Sequence, residues 1–166
     1  MGIVIALLIA APALAQVPAA DSSRRVAEYE TVAAAADSSG RTSLQERARA
    51  IHALGNSCGA LAVPVLGELS RPYLRPWVIW HSALAALSRC PREDLASFWR
   101  EMITFPREPV REIAIVGLLR TGSRGDAILI REATHRETNP TIMRLAARAD
   151  SVLRLPTNAR ATLLPR

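Results

Sequence analysis

From residue 43 onward, short apolar runs alternate with polar punctuation at a period of about 32 residues. Within 47–54, 80–87, 113–119 and 145–153, apolar residues recur at intervals of three and four, the spacing of one face of an α-helix. Each run follows a helix-start signal. Ser43 with Glu46 has the S-x-x-E form of a capping box, and Pro76, Pro109 and Pro140 suit the first helical turn, where a missing N–H goes unnoticed. The four starts are spaced by 33, 33 and 31 residues. Gly55, Pro91 and Gly122 are expected to stop the first three runs. A second helix then follows each of these, over 59–69, 92–103 and 124–134, with Glu68, Glu101 and Glu132 in register at spacings of 33 and 31. The pattern predicts an all-α chain of three helical hairpins closed by a last helix, preceded by one helix over about 23–36 that ends at Asp37-Ser38-Ser39-Gly40.

No hairpin of this length can bury its apolar face alone, so the units must stack and share a continuous core. The phrase Arg49-Ala-Ile-His-Ala-Leu-Gly55, followed by Ala62-Val-Pro-Val-Leu66 and Glu68-Leu69, resembles the HEAT-repeat family of armadillo-type α-solenoids, including its bilin-lyase-like variants. The resemblance covers residues 43–154 and is closest in the first hairpin, since later ones carry Ser-Arg-Cys-Pro91 or Leu-Arg-Thr-Gly122 at the turn. It implies an α-solenoid of stacked antiparallel hairpins in a right-handed superhelix. It also implies a protein-binding scaffold with the second helices on the concave side.

Stacking bears on the two cysteines. Cys58 and Cys90 fall at the same hairpin turn one repeat apart, and neighbouring helices lie about 8–10 Å apart, so a modest tilt brings them to bridging distance. The alternative is two buried thiols. A bridge suits an exported protein, and residues 1–15 read as a signal peptide: an uncharged apolar run ending in Ala13-Leu14-Ala15, although no Lys or Arg precedes it. Fifteen residues fall short of the ~20 needed to span a bilayer, so no stable span is expected after cleavage. The division expected is a signal peptide over 1–15, an extension over 16–42, the repeat domain over 43–154 and a tail over 155–166, in a periplasmic or secreted protein.

Composition narrows the chemistry. All 21 basic residues are arginine, against 15 acidic residues, for a formal charge of +6. Without lysine there is no Schiff-base amine, phosphate-loop lysine or Ser-Lys dyad. Only 4% of residues are aromatic and β-type alternation is missing, which argues against a sandwich or barrel. The arginines are interleaved with Glu and Asp along the helices, so nucleic acid is not the expected partner. His52, His81 and His135 stand outside any zinc-type motif, and two distant cysteines do not make a metal site. No nucleophile–base pair, glycine-rich phosphate loop or paired carboxylate stands out, and neither catalysis nor a cofactor is expected.

What remains is binding. Glu68, Arg100, Glu101, Arg131 and Glu132 are expected to form one polar ladder on the second helices for a protein partner. Reversing Arg100 and Arg131 is expected to weaken that binding while hardly changing stability. Six of the seven aromatic residues fall in the second hairpin; Trp80, Phe98 and Trp99 read as core, whereas Tyr73 and Trp77, beside Arg71 and Arg75, are candidate exposed anchors. Two other readings stay open: an enzyme or accessory subunit of the lyase-like type, and a weak binder of anionic polymers or surfaces.

Overall fold

The computed structural model describes residues 19–71, 75–156, 159–160 and 163. The apolar segment 1–15 and most of the tail lie outside the described residues. Among those described there are eight α-helices and no strand: α1 (Ala19–Ala36), α2 (Leu44–Ser57), α3 (Ala62–Leu69), α4 (Trp77–Leu87), α5 (Ala96–Met102), α6 (Glu108–Thr121), α7 (Asp126–Thr134) and α8 (Pro140–Leu153). A 3₁₀ turn, Glu93–Leu95, leads into α5. None of these helices is long and apolar enough to cross a membrane.

The helix starts behave as the sequence predicts. Ser43 accepts a hydrogen bond from the Glu46 N–H at 3.2 Å, and the Glu46 carboxylate accepts from the Ser43 N–H at 2.9 Å, so the capping box is complete. Asn139 caps α8 by accepting from the Thr141 N–H at 2.9 Å. The connection from α1 to α2 is fastened by Asp37, whose carboxylate accepts from the N–H groups of Ser39 (2.8 Å) and Thr42 (2.7 Å) and is held well below the usual carboxylate range by the Ser39 and Thr42 hydrogen bonds.

The first helices pack in sequence, α2 on α4, α4 on α6 and α6 on α8, while α1 covers α2 and α3. Each second helix lies chiefly against the first helix of the following hairpin: α3 on α4, α5 on α6 and α7 on α8. Burial repeats with the predicted register on the second helices. Leu66, Trp99 and Ile130 are fully buried at spacings of 33 and 31, as are, nearly so, Ala62, Leu95 and Asp126 at the same spacings.

On the first helices the register differs from the one marked by proline. Arg47, Trp80, Ala114 and Ala146 are buried, as are Leu54, Leu87, Thr121 and Leu153. Both series run at 33, 34 and 32. The prolines occupy different cap positions: Pro76 is the N-cap of α4, whereas Pro109 sits in the second position of α6 and Pro140 opens α8. Proline marks the first turn, but core burial sets the phase.

Gly55 is a second correction. It does not stop the helix; α2 runs on to Ser57. A Cβ at Gly55 would lie 2.6 Å from the Ala86 Cβ, so glycine serves there to let α2 and α4 approach. The stop falls at Cys58, the one non-glycine residue of positive φ (+46°) among those described, whose N–H caps the Leu54 carbonyl at 3.0 Å. A left-handed cap normally favours glycine. Here the cysteine is placed by that turn at disulfide distance from Cys90, with Cα atoms 5.4 Å apart.

At the centre of the second hairpin Trp80 and Trp99 are buried as expected. Gly117 of α6 lies under the Trp99 ring, and a methyl group there would overlap the indole. Gly117→Ala should therefore lower unfolding free energy by up to about 2 kcal/mol, an overpacking cost of about 1–3 kcal/mol offset in part by a gain of ~1 kcal/mol in helix propensity. Denaturant titration checks this. Thiol labelling without reductant should find no reactive cysteine, and removing both cysteines should cost roughly 3–4 kcal/mol for a closed loop of 32 residues.

Candidate interaction surface

The predicted ladder divides in two. Glu68, Glu101 and Glu132 are all exposed and occupy equivalent positions on α3, α5 and α7, judged by the burial register of their neighbours. Glu68 pairs with Arg71 at 3.1 Å in an exposed contact of little energetic consequence.

Arg100 and Arg131 also occupy equivalent positions, yet both, though exposed, pair with carboxylates of the protein itself. Arg100 grips Asp126 through Nε and Nη2 at 2.6 and 3.0 Å. Arg131 reaches Asp150 of α8 at 2.8 Å, and Arg154 holds the same carboxylate. The two arginines are clips between helices, which corrects the expectation that they can be reversed without affecting stability.

Asp126 opens α7 and is only 3% exposed. It also accepts from the Ser123 N–H and hydroxyl at 2.7 and 3.0 Å, closing the turn after Gly122. Burial alone would raise its pKa, but the hydrogen bonds from Arg100 and Ser123 outweigh that and hold the carboxyl below its ordinary value. A similar clip joins α6 to the loop before α8: Arg111 donates to Glu137 and to the Phe105 and Pro106 carbonyls, and the Arg111 hydrogen bond lowers the Glu137 pKa.

Of the two candidate aromatic anchors, Tyr73 lies outside the described residues. Trp77 occupies the first position of α4 and is 47% exposed. Its indole is held on one side by His81, with ring centroids 4.3 Å apart, and edge-on by the buried Trp80 at 4.8 Å. Desolvation lowers the His81 pKa, with Glu112 acting in the opposite sense. Two further large apolar residues in the first turns of α2 and α4, which sequence reasoning did not single out, are exposed. Val78 is 45% exposed, and Leu44 is 49% exposed in the first position of α2, where Trp77 stands in α4. The signal was present in the sequence: Leu44 follows Ser43 as Trp77 follows Pro76, at the same spacing of 33.

Among the described residues no three His, Cys, Asp or Glu side chains converge as a metal site would require. His52 and His135 are exposed, with His135 Nδ1 at 2.7 Å from the Glu132 carbonyl. The chain matches no protein-family model, no curated protein and no solved structure.

The clips generate a pH dependence. Because the folded-state pKa of Asp126 lies below its ordinary 3.8, the stability this carboxylate contributes is present above that value and is lost as pH falls through the lowered one. Below about pH 4, unfolding free energy should therefore fall more steeply with pH in the wild type than in Asp126→Asn. At neutral pH, Arg100→Ala should cost about 1–3 kcal/mol by stranding a buried carboxylate, and Arg131→Ala less than about 1. Thermal denaturation across a pH series measures both.

Proposed function

We propose that the chain is an exported HEAT-like α-solenoid that acts as a protein-binding module, with Trp77 as its anchor. The observation that carries this reading is the Trp77 indole itself. It is half-exposed, held in place by His81 and Trp80, and accompanied by Val78 and Leu44 on the adjacent first turns. An aromatic side chain fixed before the partner arrives loses little conformational freedom on binding, which is the usual character of a binding hot spot.

The stacked register supports the solenoid. Equivalent core positions recur at near-constant spacing, and each second helix is covered by the next hairpin. Right-handed superhelical winding is part of the proposal. Export is supported by the cysteine pair and by the apolar run at residues 1–15. The exposed carboxylates of Glu101 and Glu132 provide a secondary row that favours approach of a basic segment, because the neighbouring arginines are already committed. No catalytic role is proposed.

A photo-crosslinking residue at position 78, expressed in the native cell, tests the anchor. A discrete adduct from position 78, absent when the probe is moved to exposed Ser151 and lost on Trp77→Ala, is the expected result. Adducts of equal yield from 78 and 151, or one that survives Trp77→Ala, would overturn the assignment.

A further inference from the structure

At the opposite end of the first-helix layer from Trp77, a groove of about 600 Å³ runs between the 3₁₀–α5 segment and the C-terminal end of α6. That volume admits a small organic ligand. Arginines from three elements line it: Arg100 of α5, Arg120 of α6 and Arg160 beyond α8. Ser97 and Ser123 add hydroxyl groups.

The charges are unevenly balanced. Asp94, on the rim, is held by both Nε and Nη2 of Arg92, at 3.1 and 2.7 Å, which leaves Glu93 as the other acidic lining residue. Arg100 is bound to Asp126, and Arg160 donates to the Gly122 carbonyl at 2.8 Å. The Arg120 guanidinium makes no ion pair or side-chain hydrogen bond among the described residues. Close to it stands another unpaired cation. Arg89, just past α4, has Nε and Nη2 buried without an acceptor, and after burial itself the charge of Arg120 is the main influence lowering its pKa. Arg89 does not itself line the groove, but its uncompensated charge beside Arg120 adds to the positive potential at that end.

We propose that the groove binds a small ligand through a compact oxyanion, phosphate or carboxylate, received by Arg120 and flanked by Arg100 and Arg160. A guanidinium presents paired N–H donors in a fork that matches either group, and such charge-assisted bonds are short and strong. The Ser97 hydroxyl, whose contact with the Asp94 carbonyl is long at 3.5 Å, can turn to donate to a remaining oxygen, and Ala96 and Leu119 give the rest of the ligand an apolar wall. The site is independent of Trp77 and of any protein partner.

Calorimetric titration of the whole protein with inorganic phosphate and, separately, with succinate tests this, in chloride buffer at constant ionic strength. Because Arg120 holds no other group and its charge repels that of Arg89, Arg120→Gln should leave the melting temperature in chloride unchanged or slightly higher, not lower. It should also weaken oxyanion binding by about tenfold or more, as expected for one charge-assisted contact. Saturable binding of phosphate with weaker succinate would assign a phosphate-bearing ligand; the reverse order would assign a carboxylate. Heats no greater than for added chloride, or affinity unchanged in Arg120→Gln, would overturn the proposal.

Discussion

Everything else in this molecule depends on one constraint: each second helix finds its apolar cover on the first helix of the next hairpin. Leu66, Trp99 and Ile130 are fully buried at matching positions of α3, α5 and α7, and these helices lie chiefly on α4, α6 and α8. A hairpin cut from its successor would therefore expose a large apolar stripe, at a cost of roughly 25 cal/mol for each Å² returned to water. The closeness of the helices follows from small residues at the crossings. Gly55 admits Ala86, and Gly117 admits the Trp99 ring.

The polar contacts act on the same seams. Arg100 with Asp126, Arg131 with Asp150, and Arg111 with Glu137 each tie one helix or turn to a later one, and the cysteine pair joins the ends of α2 and α4. Arginine suits this work better than lysine would, because its planar fork engages a carboxylate through two donors at once. Several of the arginines thereby have a structural role within the fold. Arg89 and Arg120 stand out among the arginines without a carboxylate partner because they lie close enough for the charge of one to lower the pKa of the other.

Much of the architecture was legible from local signals. Ser43 with Glu46 marked a helix start through hydrogen bonds confined to four residues, and Glu68, Glu101 and Glu132 carried the second-helix register because one residue type recurred at one position. Failures came where a residue answered to something distant in sequence. Gly55 resembles a helix stop, but its lack of a Cβ serves Ala86, 31 residues away. Proline fixes backbone geometry at the first turn and says little about which side chains turn inward, so the one-residue phase shift into α6 was hidden. Arg100 and Arg131 looked like a free surface row because Asp126 and Asp150, which neutralise them, lie 26 and 19 residues further along. Trp77 was recognisable as an aromatic at a helix entrance; its fixation by His81 required the folded helix.

The dependence of each hairpin on its successor is most directly tested by native-state hydrogen exchange, resolved helix by helix, in the wild type and in Trp99→Leu. Weakening α5 should lower amide protection in α6, the first helix of the following hairpin, more than in α4, its own hairpin partner. Loss of protection confined to α4 and α5, with α6 unchanged, would show that the hairpins are self-sufficient units and would contradict the account.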